Sequence, residues 1–260
     1  MAAWTAVASR PALLAHGSRA GATGSRYSIR LAATRQERLA AFRLRFLVFN
    51  LELREGLESA YADGYDRDTF DTACDHLIVE DLPTGRVVAT YRLQTGLTAA
   101  AHGGYYSARE FDFAPYEPLR AAMVELGRAA VHRDHRSFDV LTMLWRGIVA
   151  YACARGARYL IGCSSLSSQS PAEGLALFSA LRPFLAPPAL RTAPRADFAC
   201  RPADPGPGQI RPPKLLRAYL SMGATICGEP AIDRDFKTID FLTLLDLQHL
   251  SPAARARFLS

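Results

Sequence analysis

The segment Met123-Val124-Glu125-Leu126-Gly127-Arg128 sets a carboxylate and a guanidinium inside an otherwise apolar run. Read as a strand, its alternation sends Val124 and Leu126 to one face and Glu125 and Gly127 to the other. A glycine inside a strand marks a bulge or a close backbone approach by a ligand. A carboxylate enclosed by apolar neighbours must be paired or must titrate above its usual range. Two roles therefore stand open for Glu125: a structural ion pair with Arg128, or a general base. Further along, Ser137 can cap a helix, and the free N–H groups at Ser137, Phe138 and Asp139 could hold a phosphate. The turn before them contains Arg133 and Arg136. His132 and His135 flank Asp134, but no third ligand stands at a metal-binding spacing, so no metal is expected. Cys163-Ser164-Ser165 lacks the G-x-S-x-G of a strand-borne nucleophile and reads as a packed strand end.

Certain elements must position these residues. Tyr27–Leu31 reads as a first strand. Thr34 and Glu37 form a capping box, and the helix they open is expected to run to about Leu53 with Leu39, Phe42, Phe46 and Phe49 on one stripe. An acidic loop, 55–75, precedes a hairpin of His76–Leu82 and Arg86–Thr95 turned at Pro83-Thr84-Gly85. A low-pattern stretch with Gly103-Gly104 leads to the strand Met123–Val131. A helix over Phe138–Arg155, ended by Gly156, and a strand over Arg158–Cys163 complete a βαβ unit, hence a parallel pair. Residues 183–213 hold nine of the sixteen prolines and are expected to be irregular. A short helix (Leu215–Leu220) and a last strand near Ile239–Leu245 follow. The expectation is an α/β fold: a mixed, mostly antiparallel sheet with one splayed parallel pair, flanked by helices. It spans 27–250 as a single domain with the proline-rich insert, between a disordered basic leader (1–26) and a tail (251–260).

Composition excludes several classes. The 260 residues are 49% hydrophobic, enough for a core, and no run of about 18 apolar residues could span a membrane. Five scattered cysteines without a C-x-x-C pair speak for a reducing compartment. Arg10, Arg19, Arg26, Arg30 and Arg35 occur in residues 1–36 with no acid, so five of the net six positive charges sit there. The remainder is nearly balanced, and no nucleic acid is expected as a partner. Loop 190–217 is locally basic, which with the leader suggests peripheral contact between a cytoplasmic protein and an anionic membrane surface.

Seven collinear blocks carry a resemblance: RFLVFNLELREG (45–56), DTFDTACDHLIVED (68–81), VVATYRL (87–93), REFDF (109–113), ELGRAAVHRDHR (125–136), LLRAYLSMGA (215–224) and PAIDRDFKTID (230–240). The chain resembles acyltransferases of the Gcn5-related N-acetyltransferase fold, and among them the bacterial L-ornithine N-acyltransferases. It shares part of its pattern with the acyl-homoserine-lactone synthases at Arg45, Phe49, Asp68, Asp71, Arg92, Glu125 and Arg128.

The resemblance implies a lyso-ornithine-lipid synthase that moves a 3-hydroxyacyl group from the 4′-phosphopantetheine of acyl carrier protein to ornithine, with no tightly bound cofactor. It implies that Glu125 handles the amine proton beside Arg128, and that Arg45, Asp68, Asp71 and Arg92 organise the acceptor pocket. Arg133, Arg136, Ser137 and Phe138 would meet the donor phosphate. The usual phosphate loop of this fold contains glycines, whereas the turn here has none, which favours a carrier-protein thioester over coenzyme A. The alternatives are a homoserine-lactone-type or other N-acyl-amino-acid synthase, a coenzyme-A-dependent N-acyltransferase, and a non-catalytic acyl-carrier or lipid-binding module.

Overall fold

The Thr34 hydroxyl accepts the Glu37 N–H while the Glu37 carboxylate accepts the Ala33 and Thr34 N–H groups, so the first helix begins where the capping box requires. The computed structural model describes residues 25–201 and 210–258. Of the expected leader only Ser25 and Arg26 fall among these, and 202–209 of the proline-rich insert lie outside them. In chain order the elements are β1 (Tyr27–Leu31), α1 (Arg35–Arg45), β2 (Asp75–Asp81), β3 (Arg86–Thr95), α2 (Gly96–Ala101), β4 (Met123–Val131), α3 (Phe138–Ala154), β5 (Tyr159–Leu166), α4 (Pro171–Leu181), α5 (Lys214–Met222), β6 (Thr225–Ile226), β7 (Ala231–Asp233), β8 (Thr238–Asp246) and α6 (Pro252–Phe258).

The strands form one open sheet in the order β1-β2-β3-β4-β5-β8-β6, with β7 also on β8. Among the strands of the described residues, β4 and β5 pair in parallel and the other pairings are antiparallel. The fold is thus the mixed α/β sheet expected. Leu77 and Val79 of β2 pack under α3 residues such as Leu144 and Ile148, while Ile78 meets Ala41 of α1. The strand period of two therefore places α3 and α1 on opposite faces.

Three departures from expectation matter. The first helix does not continue regularly to Leu53: it widens into a π-helical stretch, Phe46–Glu52, in which the Leu53 N–H reaches back to Val48. Such bulges recur at functional sites because they displace side chains from the helical stripe. In the segment expected to be a tail, residues 252–258 form α6, which buries Ala254 and sets Phe258 against Trp145 of α3. Finally, α4 and β7 carried too few periodic residues to be singled out, yet both close the region around β8. Among the described residues, no helix is long and apolar enough to cross a membrane. In the basic loop, Arg191 and Arg195 donate to the carbonyls of Ala186 and Ala108, so part of its charge is tied inward.

Candidate active site

β4 and β5 pair only over Met123–Tyr159, Val124–Leu160 and Glu125–Ile161, and then part. The parting needs a glycine: a Cβ on Gly162 would lie 2.2 Å from the Leu126 carbonyl oxygen. On its other edge β4 bulges, because Arg92 faces Gly127 and Thr90 faces Ala130, leaving Arg128 and Ala129 opposite Tyr91. The sequence cue at Gly127 thus marks the bulge one residue early. Arg128 occupies the left-handed region at φ 50°, a conformation costly for a side chain of its size and typical of functional positions. Splay and bulge together break the simple alternation. Glu125, Leu126, Gly127, Arg128 and Ala129 all border one cavity of about 200 Å³.

Glu125 is 5% exposed and does not pair with Arg128, so the structural ion pair is not formed. Its two oxygens accept the N–H groups of Tyr106 (2.9 Å) and Ser107 (2.8 Å). Burial pushes its carboxyl above the ordinary range, and those two donors only partly offset this. The result is a carboxylate held in one orientation by backbone, close to where the strands separate.

The arginines have other partners. Arg128 donates to Asp68 (2.8 Å), lies 3.5 Å from Asp66, and stacks over Phe236 with 4.2 Å to the ring centre. Arg92 binds both Asp68 oxygens and Asp71, and Arg45 grips Asp71 with two bonds and Asp66 with one. Asp68 and Asp71 also cap the short turn Thr69–Thr72 reciprocally. Burial alone would raise both carboxyls, but Arg92 with Arg128 and Arg45 hold them below their usual range. Arg92 and Arg128 reach the cavity wall; Arg45, Asp66, Asp68 and Asp71 lie behind it.

Another part of the lining is acidic. Glu55, Asp233 and Asp240 line it, and Glu110 sits next to Asp240. Burial, then the neighbouring carboxylates, raises Glu110 well above its ordinary value; burial lifts Asp240 to about 6. Donor atoms of Glu110, Cys163 and Asp240 lie within 4.8 Å of one another, near enough to share one ion. Burial, however, pushes the Cys163 thiol well above its ordinary value, so it is a poor metal ligand, and the Glu110 carboxyl is hydrogen-bonded to Asp240.

Comparison with known proteins matches this architecture. A family model described as an acetyltransferase (GNAT) domain matches residues 44–146. An L-ornithine N(alpha)-acyltransferase of Rhodobacter capsulatus is 34% identical over 243 residues, covering 88% of this chain and 93% of the relative. That of Brucella abortus is 32% identical over 86% of this chain and 85% of its own. The chain belongs to the L-ornithine N(alpha)-acyltransferase family. It is an acyltransferase. Two solved structures share the fold of this family member: the AHL synthase LasI (TM-score 0.53, 13% identity, 90% of this chain and 95% of that one) and FeeM, an N-acyl amino acid synthase from uncultured soil microbes (TM-score 0.56, 12% identity, 92% and 97%).

Within this acyltransferase, Glu125, Arg92 and Arg128 come together at the cavity, and Arg45, Asp68 and Asp71 stand one layer back. The turn before α3 does not border the cavity. Ser137 caps α3 through Val140, Arg136 is bound to Glu52, and Phe138 is exposed beneath Arg257. Arg133 is in the short turn Arg133–His135 at the edge of this region. Tyr106, Ser107, Glu55, Glu110, Asp233 and Asp240 escaped sequence reasoning. The only signal was local: Glu55, Glu110, Asp233 and Asp240 all fall inside blocks quoted for resemblance, where their charge was not weighed.

Proposed function

We propose that this acyltransferase moves a 3-hydroxyacyl group from acyl carrier protein to the α-amine of L-ornithine, giving lyso-ornithine lipid. The observation that carries the reading is Glu125, a buried carboxylate with a raised pKa fixed where β4 and β5 part. The relatives' names supply the acceptor. The neutral amine attacks the thioester carbonyl, forming the C–N bond as the C–S bond breaks. Glu125 takes the amine proton, directly or through a water. Backbone N–H groups of β4 beyond Glu125, where β5 no longer pairs, face the developing oxyanion. The pantetheine sulfur departs as a thiol on receiving that proton from Glu125, and the donor arm runs toward the N-terminus of α3, whose free N–H groups and Arg133 suit a phosphodiester. Arg128 and Arg92, braced by Asp66, Asp68 and Asp71, suit the acceptor carboxylate. No metal is assigned a step. The protein would work in the cytoplasm, at the anionic membrane surface where its product inserts.

Expression in a bacterium lacking ornithine lipids, with lipid mass spectrometry, tests the reading. N-(3-hydroxyacyl)ornithine should accumulate, and purified protein should form it from the acyl carrier protein thioester. A lactone product, or an acyl amide of another amino acid in place of ornithine, would replace it.

A further inference from the structure

The cavity carries two kinds of charge, and only one kind is answered. Each arginine in or behind its cationic wall meets a carboxylate. Elsewhere in the lining, Glu55, Asp233, Asp240 and the adjacent Glu110 have no ion pair among the described residues, although the charge of Arg128 is felt at Glu110. Asp233 is satisfied by neutral donors, the Tyr106 hydroxyl (3.1 Å) and the Phe236 N–H (2.8 Å). Glu110 meets the Cys163 thiol at 3.9 Å. Asp240 is 3% exposed, and its Oδ1 has no hydrogen-bond partner; the same holds for Oε1 of Glu55, 7% exposed. Both residues border the cavity. Buried carboxylate oxygens left without donors are destabilising, and these two, Asp240 Oδ1 and Glu55 Oε1, are retained at a loss of stability unless a cation arrives.

The placement defines which cation. Glu125 is linked to this wall through one short path: its Oε1 accepts the Ser107 N–H, the Ser107 hydroxyl accepts the Cys163 thiol, and that thiol lies against Glu110. An amine beside Glu125 and a second cation beside Asp240 would therefore share one small molecule with a short aliphatic arm between them. Arg128 and Arg92, though paired with Asp68, border the same cavity and set a positive field for a carboxylate on the same molecule. We infer that Asp240 and Glu55, with Asp233 beside them and Glu110 behind, form a subsite for the side-chain ammonium of a diamino-acid acceptor and so select it over neutral amino acids. This inference rests on the acyltransferase reading above and adds the residues that read the acceptor's far end.

The test compares L-ornithine with L-norvaline, which has the same carbon chain without the terminal amine, using a 3-hydroxyacyl carrier-protein thioester. A site whose buried polar groups are answered by one acceptor and orphaned by the other should favour ornithine by roughly 10² in kcat/KM. Asp240→Asn should reduce that ratio at least about tenfold, mainly through the KM for ornithine, and Glu55→Gln should move it the same way. Independently of turnover, ornithine should raise the Tm of the wild-type protein more than norvaline does, and Asp240→Asn should erase the difference. Should Asp240→Asn not fold, Glu55→Gln carries the same readings. Transfer to neither acceptor removes the acyltransfer reading itself. Transfer to both with equal efficiency leaves that reading in place and overturns the subsite. So does an unchanged ratio in the folded variants, or an ornithine preference that a chelator abolishes, which would put a metal ion where the ammonium is assigned.

Discussion

On one side of the cavity Arg45, Arg92 and Arg128 meet Asp66, Asp68 and Asp71, charge for charge, under 15% exposure throughout. On the other side Glu55, Glu110, Asp233 and Asp240 meet hydroxyls, a thiol, backbone N–H groups and one another. The first wall is complete without a ligand. Its bidentate Arg45–Asp71 contact and its reciprocal cap fix the loop after the π-helical stretch against β3 and β4, so its arginines arrive preorganised. The second wall is unfinished. Buried charge of one sign persists only where something other than stability selects it, and the contrast separates scaffold from recognition.

Between the walls stands Glu125, which belongs to neither. Glu125→Gln keeps the volume and the two backbone contacts in part but removes the base. Turnover should fall roughly 10²–10⁴-fold with the Tm little changed. Steady-state rates with an amine acceptor at neutral pH check this; a near wild-type rate would return Glu125 to the scaffold side of the comparison.

The walls themselves should respond oppositely to neutralisation. Asp71→Asn leaves the Arg45 guanidinium, 1% exposed, without its bidentate carboxylate, and should cost about 3–5 kcal/mol of stability. Asp240→Asn removes a charge that nothing answers, and should leave the Tm equal or higher. Urea unfolding of both variants decides the matter. Equal losses would mean that the acidic wall is as structural as the cationic one.

Acidity should split them again. Asp240 has a folded pKa raised to about 6, so its contribution to stability is full below about pH 4 and is lost as pH rises through about 6. Asp68 and Asp71 have depressed values, so their contribution is full above the usual carboxylate range and is lost only in stronger acid. Stability should therefore be greater near pH 5 than at pH 7, while activity falls over the same interval because the raised Glu125 carboxyl must be ionised to act. Thermal scans and kcat/KM profiles across pH 4.5–8 read both trends.

How much of this was legible before folding differs by scale. Residues with strong local rules were: the capping box at Thr34, the βαβ order around α3, and the glycine beside the β4 bulge. Glu125 was visible because a carboxylate in an apolar run is conspicuous. Asp240 was not, because in Thr238–Asp246 it sits near a strand start, where a polar residue ordinarily faces water. Its burial comes from β5 and the loop carrying Glu110, both distant in sequence, and from β7, which pairs back on it across a short turn. Tyr106 and Ser107 lay in a stretch with no period, and they act through backbone N–H groups that no side-chain type announces. Of the two readings left open for Glu125, the ion pair with Arg128 is absent for a local reason: the bulge turns Arg128 toward Asp68.

The smallest effect concerns the donor side, where two arginines of one turn have different fates. Arg136 is committed: it binds Glu52 at the end of the π-helical stretch and the Val131 carbonyl. Arg133 has no ion pair among the described residues and stands near the free N–H groups that open α3. Carrier proteins are acidic, so an exposed arginine in this turn would add attraction screened by salt rather than a buried contact. Arg133→Ala should raise the KM for the carrier-protein thioester about two- to fivefold, as expected for one exposed charge pair. It should also flatten the decline of rate with ionic strength, and leave the KM for ornithine unchanged. Arg136→Ala should act differently, loosening the turn and lowering the Tm with no such selectivity for donor. Initial rates at limiting donor across a salt series distinguish the two variants. Identical salt curves for wild type and Arg133→Ala would mean that the carrier protein docks elsewhere, and that this turn, like the cationic wall, only holds the fold.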